Sequence, residues 1–272
     1  MILTAYPKIN LGLDILRRRE DGYHDIDTLM LPVGGVCDTL EILPAENGGG
    51  CNLQIEGLTV DCAADRNLVV KAWMLMRERY GIGGVRMKLR KNIPFGAGLG
   101  GGSADAAAAI KGFDELFGTH LSMEEMVEVA ARLGSDIPFF LHSRPTFCRG
   151  RGEIMTPSEI DLSGVWCVIS KPSFGISTAE AYAGVTPRIP TMSLEERLKL
   201  PRAEWQSAIV NDFEASLFGR YTALPNIKRE MQRCGAFYAS MSGSGSAMYG
   251  LFEKEPSYKP IFAGEEIFVF RF

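Results

Sequence analysis

The chain has 272 residues, 46% of them hydrophobic and 23% charged, enough apolar material to bury the core of one large or two smaller domains and too much for disorder. Its 29 basic residues are outnumbered by 33 acidic ones, a net charge of −4, so no global positive field draws in a nucleic-acid backbone or an anionic membrane. No apolar run reaches the roughly 18 residues of a membrane span, and six cysteines without a CxxC pair read as reduced thiols of a cytoplasmic protein, with neither a zinc site nor a disulfide framework signalled.

The opening MILTAYPKINLGL is interrupted by Pro7, Lys8 and Asn10 and lacks the pattern of a secretory signal. The β-rich runs INLGLDIL and YHDIDTLMLPV flank Asp21-Gly22, the strongest hairpin signal in the chain. Tyr23 and His24 sit just past that turn, and Arg17 to Arg19 read as its solvated flank. Gly48-Gly49-Gly50 marks another turn. Asn67 then opens a helical pattern in which Val69, Trp73, Met76 and Tyr80 share a face before Gly81 stops it. Val85, Met87 and Leu89 alternate with Arg86, Lys88 and Arg90, the mark of a half-exposed strand.

That strand runs into PFGAGLGGGSADAAA, Pro94 to Ala108. From Ser103 the residues Ala106, Ile110, Phe113 and Phe117 fall at helical spacing, and a Ser122 to Glu125 capping box starts a further helix with Met126, Val129 and Leu133 inward. Beyond about residue 150 the character changes. VWCVIS is a short buried strand, helices are signalled at Ser193 to Glu196 and by Pro225 before IKREMQRCG, and FYASMSGSGSAMYGLF reads as two strands around a glycine turn. This change places a domain boundary near 150 to 160, giving an N-terminal domain over 1–155 and a C-terminal one over 156–272.

Five glycines within Gly96 to Gly102 let the backbone turn sharply and bring its N–H groups close to an anion, while the helix that follows adds its positive dipole end. Together they make a phosphate cradle, to which Ser103 can add a hydroxyl, on a phosphate oxygen or on a bound Mg²⁺, and Lys91 a counter-charge. Gly96, Gly98 and Gly101 also match G-x-G-x-x-G, but a dinucleotide fold needs a parallel strand after the helix, and a second helix follows here. A Walker A loop, the protein-kinase H-R-D and D-F-G pair and a G-x-S-x-G elbow are all missing from the sequence. Phosphoryl transfer further requires a cation over the developing charge and a group that orients the acceptor hydroxyl. Lys8, on an otherwise apolar strand beside Asn10, and Asp136, in GSDIPFFL, are the candidates. SGSGSA, Ser242 to Ala247, offers further backbone N–H groups.

In this order the pieces resemble the GHMP family of small-molecule kinases: a Lys-bearing N-terminal strand, PFGAGLGGGSADAA in place of the family's glycine loop, and SGSGSAMYGLF in place of its C-terminal glycine turn. AYPKINLGL, DGYH, NLVVKA, GLGGGS, LGSDIPFF and NDFE are similar to the branch that phosphorylates a cytidine diphosphate-linked methylerythritol in the non-mevalonate isoprenoid precursor pathway. The resemblance covers almost the whole chain. It implies an α+β, two-domain GHMP kinase-like fold, with a ribosomal S5 domain 2-like N-terminal domain containing a left-handed β-α-β crossover and a ferredoxin-like α+β C-terminal domain. It also implies ATP with Mg²⁺ as cofactors and a small-molecule acceptor, handled by a monomer or weak homodimer.

Carried over by position, Lys8 and Asp136 are the catalytic pair: Asp136 accepts or orients the proton of the acceptor hydroxyl, and Lys8 keeps Asp136 ionised and offsets phosphoryl charge. Pro94, Gly96, Ala97, Gly98, Leu99, Gly100, Gly101, Gly102 and Ser103 hold the ATP phosphates, with Asn67 and Lys91 near the adenosine end. Asn10 and His24 hydrogen-bond the acceptor, Tyr23 and Tyr182 sandwich its cytosine, and Thr178 lies beside that pocket. Two positions depart from the pattern. Tyr182 stands where Phe is common, and Asp105, where a small polar residue is usual, sets a negative charge one turn into the phosphate-binding helix, calling for compensation by Mg²⁺ or Lys91. Homoserine, mevalonate and galactose kinases share the glycine loop, but DGYH argues for a nucleotide-bearing acceptor. A non-catalytic binding module, as in related α+β domains of RNA-binding proteins, is opposed by the net charge and by Lys8 and Asp136.

Overall fold

The computed structural model describes residues 1–46, 49–59 and 66–272; Gly48 of the expected glycine turn and Cys62 lie outside them. The strands are β1 (Ile2–Ala5), β2 (Lys8–Arg18), β3 (His24–Pro32), β4 (Asp38–Pro44), β5 (Cys51–Gly57), β6 (Val85–Lys91), β7 (Thr146–Gly150), β8 (Ile154–Pro157), β9 (Trp166–Lys171), β10 (Tyr238–Met241), β11 (Met248–Phe252) and β12 (Glu266–Arg271). The helices are α1 (Leu68–Tyr80), α2 (Gly101–Phe117), α3 (Met123–Leu133), α4 (Ile137–His142), α5 (Thr178–Ala183), α6 (Leu194–Leu198), α7 (Trp205–Ala208), α8 (Phe213–Leu217) and α9 (Ala223–Arg233). They fall into two units, one made of Met1–Pro7, Val36–Phe95 and Gly100–Ser143, the other of Lys8–Gly35, Gly96–Leu99 and Arg144–Phe272.

In the first unit β1, β4, β6 and β5 form one sheet in that order. The pair β5 and β6 is parallel, with Cys51 opposite Val85 and Gly57 opposite Lys91, and α1 connects them. Asn67 starts α1 because its side-chain oxygen accepts from the Val69 N–H at 2.9 Å, and Gly81 ends it at φ 69°, a conformation that favours glycine. Val69, Trp73 and Met76 are buried as the periodicity predicts, with Tyr80 half-buried. Along β6 the inward residues are Val85, Met87, Leu89 and also Lys91, so the period of two carries a charge into the core. The alanine-rich α2 packs closely on the sheet: a Cβ at Gly112 would collide with the Leu3 side chain and stand 2.6 Å from that of Ile42. It is followed by α3, whose Ser122–Glu125 capping box makes both of its bonds, and not by a strand. Of the three residues expected inward on α3, Val129 is fully buried while Met126 and Leu133 are half-buried.

The second unit holds two antiparallel sheets, in the orders β2-β3-β7-β8 and β10-β11-β9-β12. The hairpin of β2 and β3 turns at Asp21-Gly22, with Gly22 at φ 84°. Arg17 and Arg19 flank it as the solvent-facing charges expected there, both pairing with Asp25 and Arg19 also with Asp21. Leu13, Ile15, Phe213, Leu224, Ile227, Met231, Met248 and Phe252 pack into one apolar cluster beneath α8 and α9, each contributing about 2 kcal/mol by burial. Among the described residues no helix is long and apolar enough to cross a membrane.

Candidate active site

Strand geometry puts Lys8 and Asn10 on one face of β2, two residues apart, and both are buried, at 5% and 2% exposure. A buried ammonium is costly unless its donors are used. Here Lys8 Nζ donates to Asn10 Oδ1 and to the Gly98 carbonyl, each at 2.5 Å. Asn10 is itself aimed by its Nδ2, which donates to Thr28 Oγ1 at 3.0 Å, and Thr28 Oγ1 donates to the Gly12 carbonyl at 2.6 Å. Tyr249 donates its hydroxyl to the Asn10 carbonyl at 2.7 Å.

The segment Gly96–Leu99 lies against the second glycine turn within the same unit. Ser242 Oγ donates to the Gly98 carbonyl at 2.9 Å, and the Ala247 N–H donates to the Ala97 carbonyl at 3.1 Å. Gly96 and Gly98 have φ of 63° and 73°, and a Cβ on Gly98 would strike the Ser242 carbonyl. Ala97 and Leu99 alternate with them as buried anchors, 2% and 1% exposed, so a flexible sequence is held in one shape. From the segment between α7 and α8, Asn211 Nδ2 donates to the carbonyls of Met241, at the end of β10, and of Gly243, in the turn, at 2.8 and 2.9 Å. Sequence pattern alone assigns no individual role to Asn211 or Ser242; the signal for them lies in the polar NDFE and SGSGSA segments between apolar runs.

His24 and Tyr182 come together in this unit, their rings stacked at a centroid distance of 4.8 Å and an angle of 22°. Tyr182 is braced edge-on by Phe213 at 4.9 Å. Burial, reinforced by the charge of Arg18, holds the His24 imidazole below its ordinary pKa, so it is neutral at pH 7. Tyr23 is mostly exposed and carries the Arg151 guanidinium 5.0 Å above its ring, so His24 and not Tyr23 is the ring on Tyr182. Thr178 opens α5, and its Oγ1 is 3.4 Å from the Ser244 hydroxyl in the glycine turn.

In the first unit, α2 begins at Gly101 after Gly100 at φ 71°, with no side-chain cap and no acidic residue in its first turn. Its leading N–H groups are therefore available to an anion. Ser103 Oγ donates to Asp136 Oδ1 at 3.0 Å. Asp136 stands at the N-cap of α4 but makes no cap bond, so its carboxylate serves Ser103 rather than its own helix. Asn67 is 9% exposed and is engaged as the cap of α1, and Pro94 is buried. Lys91 donates to Asp38 Oδ2 and to Asp105 Oδ2, the latter at 2.6 Å. The Asp105 charge is thus turned into the core and met by Lys91, as the sequence required, and Lys91 is not a free counter-charge. Burial pushes the Asp105 carboxyl up to about 7, against the pull of Lys91.

The GHMP kinases N terminal domain family matches residues 67–144, and the GHMP kinases C terminal family matches residues 195–259. A 4-diphosphocytidyl-2-C-methyl-D-erythritol kinase of Azobacteroides pseudotrichonymphae is 44% identical over 95% of this chain and 96% of its own length. That of Parabacteroides distasonis is 42% identical over 95% and 94%. A crystal structure of 4-(cytidine 5'-diphospho)-2C-methyl-D-erythritol kinase superposes with a TM-score of 0.78 at 35% identity, covering 92% of this chain and 90% of that one. A mevalonate kinase structure reaches a TM-score of 0.74 at 15% identity, over 100% of this chain and 98% of that one, a likeness of fold alone. The α+β, two-domain fold implied by the motifs is the fold found.

Proposed function

The chain belongs to the GHMP kinase family, and we propose that it transfers the γ-phosphoryl group of ATP to the 2-hydroxyl of 4-diphosphocytidyl-2-C-methyl-D-erythritol, in the non-mevalonate isoprenoid precursor pathway. The observation that carries this reading is the Lys8 ammonium, buried yet bonded to a carbonyl of the glycine loop, which ties a fixed positive charge to the segment that receives the phosphates. The open first turn of α2 fits a triphosphate. Mg²⁺ would travel on the triphosphate oxygens and supply charge neutralisation.

In this proposal Gly96 to Ser103 cradle the phosphates through backbone N–H groups, with Asn67 and Lys91 toward the adenosine end. The acceptor's 2-hydroxyl oxygen forms the new bond to phosphorus as the bond to the ADP oxygen breaks, and Asp136 takes or orients the hydroxyl proton. Lys8 offsets charge on the moving phosphoryl group. Cytosine stacks on the aromatic group of Tyr23 and Tyr182, Asn10 and His24 hydrogen-bond the acceptor, and Thr178 borders the pocket. We assign the ATP-binding half to 1–155 and the other half to 156–272, in a cytoplasmic enzyme acting as a monomer or weak homodimer. The test is ADP release over a panel of acceptors. Turnover with the diphosphocytidyl alcohol and none with homoserine or mevalonate is expected; turnover with either of those and none with the former rules the assignment out.

A further inference from the structure

Both ends of the glycine loop, Lys91–Ile93 at its entry and Gly101–Asp105 at its exit, belong to the first unit, and they meet at one buried knot of charge. Asp38, the first residue of β4 and fully buried, accepts at Oδ1 from the N–H groups of Asn92 and Ile93 at 2.6 and 2.8 Å. Its Oδ2 accepts from the Lys91 ammonium, which also donates to Asp105 in the second turn of α2. Asp38, Lys91 and Asp105 are 0%, 4% and 2% exposed. The loop's exit rests on its entry: a Cβ on Gly101 would stand 2.9 Å from the Ile93 side chain and 3.5 Å from Lys91 Nζ.

As a stabilising device this arrangement is poor. Two carboxylates face one ammonium, Asp105 Oδ1 has no hydrogen-bond partner, and apolar side chains of similar volume fill such a space at least as favourably. What a hydrogen-bonded cluster supplies instead is direction and fixed distance. It joins a strand end, a loop entry and a helix start, across a loop whose glycines would otherwise range over many conformations.

We propose that Asp38, Lys91 and Asp105 form a clamp that closes the two ends of the glycine loop on each other and so presets it for ATP. Asp38 and Asp105 are then positioning residues, acting through the loop without touching nucleotide. This rests on the ATP-binding reading of the loop. An unclamped loop pays its ordering on binding, which lowers affinity without altering the bound geometry.

The experiment compares Asp105→Ala, Asp105→Asn and Asp105→Leu in the full chain, by calorimetric titration of ATP without acceptor, hydrogen exchange of the amides of 94–103, and steady-state kinetics. Asp105→Ala is expected to weaken ATP about tenfold and to speed loop exchange by a similar factor, with kcat at saturating ATP and the acceptor KM within about twofold of wild type. Asp105→Asn keeps an oxygen that accepts from Lys91 and restores both affinity and slow exchange. Asp105→Leu keeps the melting temperature but not the affinity. Wild-type affinity and exchange in Asp105→Ala overturn the clamp, as does an Asp105→Leu variant that matches Asp105→Asn, because packing alone then suffices. A wild type that binds no ATP refutes the nucleotide reading, and loop exchange still decides the clamp.

Discussion

Replacing Asp105 by Asn changes one buried carboxyl into its neutral isostere, and the structure fixes the sign of the effect on stability. The carboxyl is pushed from its ordinary 3.8 up to about 7, with burial as the main cause and the nearby Asp38 adding to it. A carboxyl whose folded pKa is raised leaves stability intact below pH 3.8, where both folded and unfolded forms hold the proton. Stability is then lost as pH climbs from there to about 7, because the unfolded chain releases the proton first. At about 1.4 kcal/mol per pH unit this displacement is worth on the order of a few kcal/mol. Urea unfolding at a series of pH values measures it directly. The Asp105→Asn chain should match wild type near pH 4 and exceed it increasingly toward pH 8, by on the order of a few kcal/mol. Parallel stability curves, or a variant that loses stability as pH rises, would show that the Asp105 carboxyl is not the strained group described here.

Asp136→Asn should lower kcat by at least about a hundredfold with the ATP dissociation constant within about twofold, measured by ADP release and calorimetry; wild-type turnover would remove Asp136 from the reaction. Gly98→Ala forces a side chain into left-handed backbone and against the Ser242 carbonyl. It should cost at least about 1 kcal/mol in thermal unfolding and weaken ATP, and an unchanged protein would contradict the close packing of the loop on the glycine turn. Tyr182→Ala should raise the acceptor KM about tenfold while Tyr182→Phe leaves it unchanged, and equal effects of the two would exclude stacking.

Local signals in the sequence were strong where a single residue determines backbone conformation. Asn67 and Gly81 bracket α1, Ser122 and Glu125 start α3, and Asp21-Gly22 turns the first hairpin, each by chemistry confined to a few neighbours. The sharp turn of the glycine loop was legible for the same reason: Gly96, Gly98 and Gly100 take the left-handed backbone that glycine permits. Partnerships across the chain were not legible. Lys91 is held by Asp38, 53 residues away, and nothing local to either residue announces it, although the alternation through Val85, Met87 and Leu89 already pointed Lys91 inward. Likewise Asn211 bonds the glycine turn about 30 residues on, and the stacking of His24 on Tyr182 joins a hairpin to a short helix that carries only one turn of pattern.

Passage of the γ-phosphoryl group from ATP to the acceptor alcohol is read by following label from γ-labelled ATP into the products in the presence of 4-diphosphocytidyl-2-C-methyl-D-erythritol. Label is expected on the acceptor's 2-hydroxyl in amounts equal to the ADP formed, and is expected to be lost in Asp136→Asn. Label recovered only as inorganic phosphate, or on no product at all, would rule the transfer out.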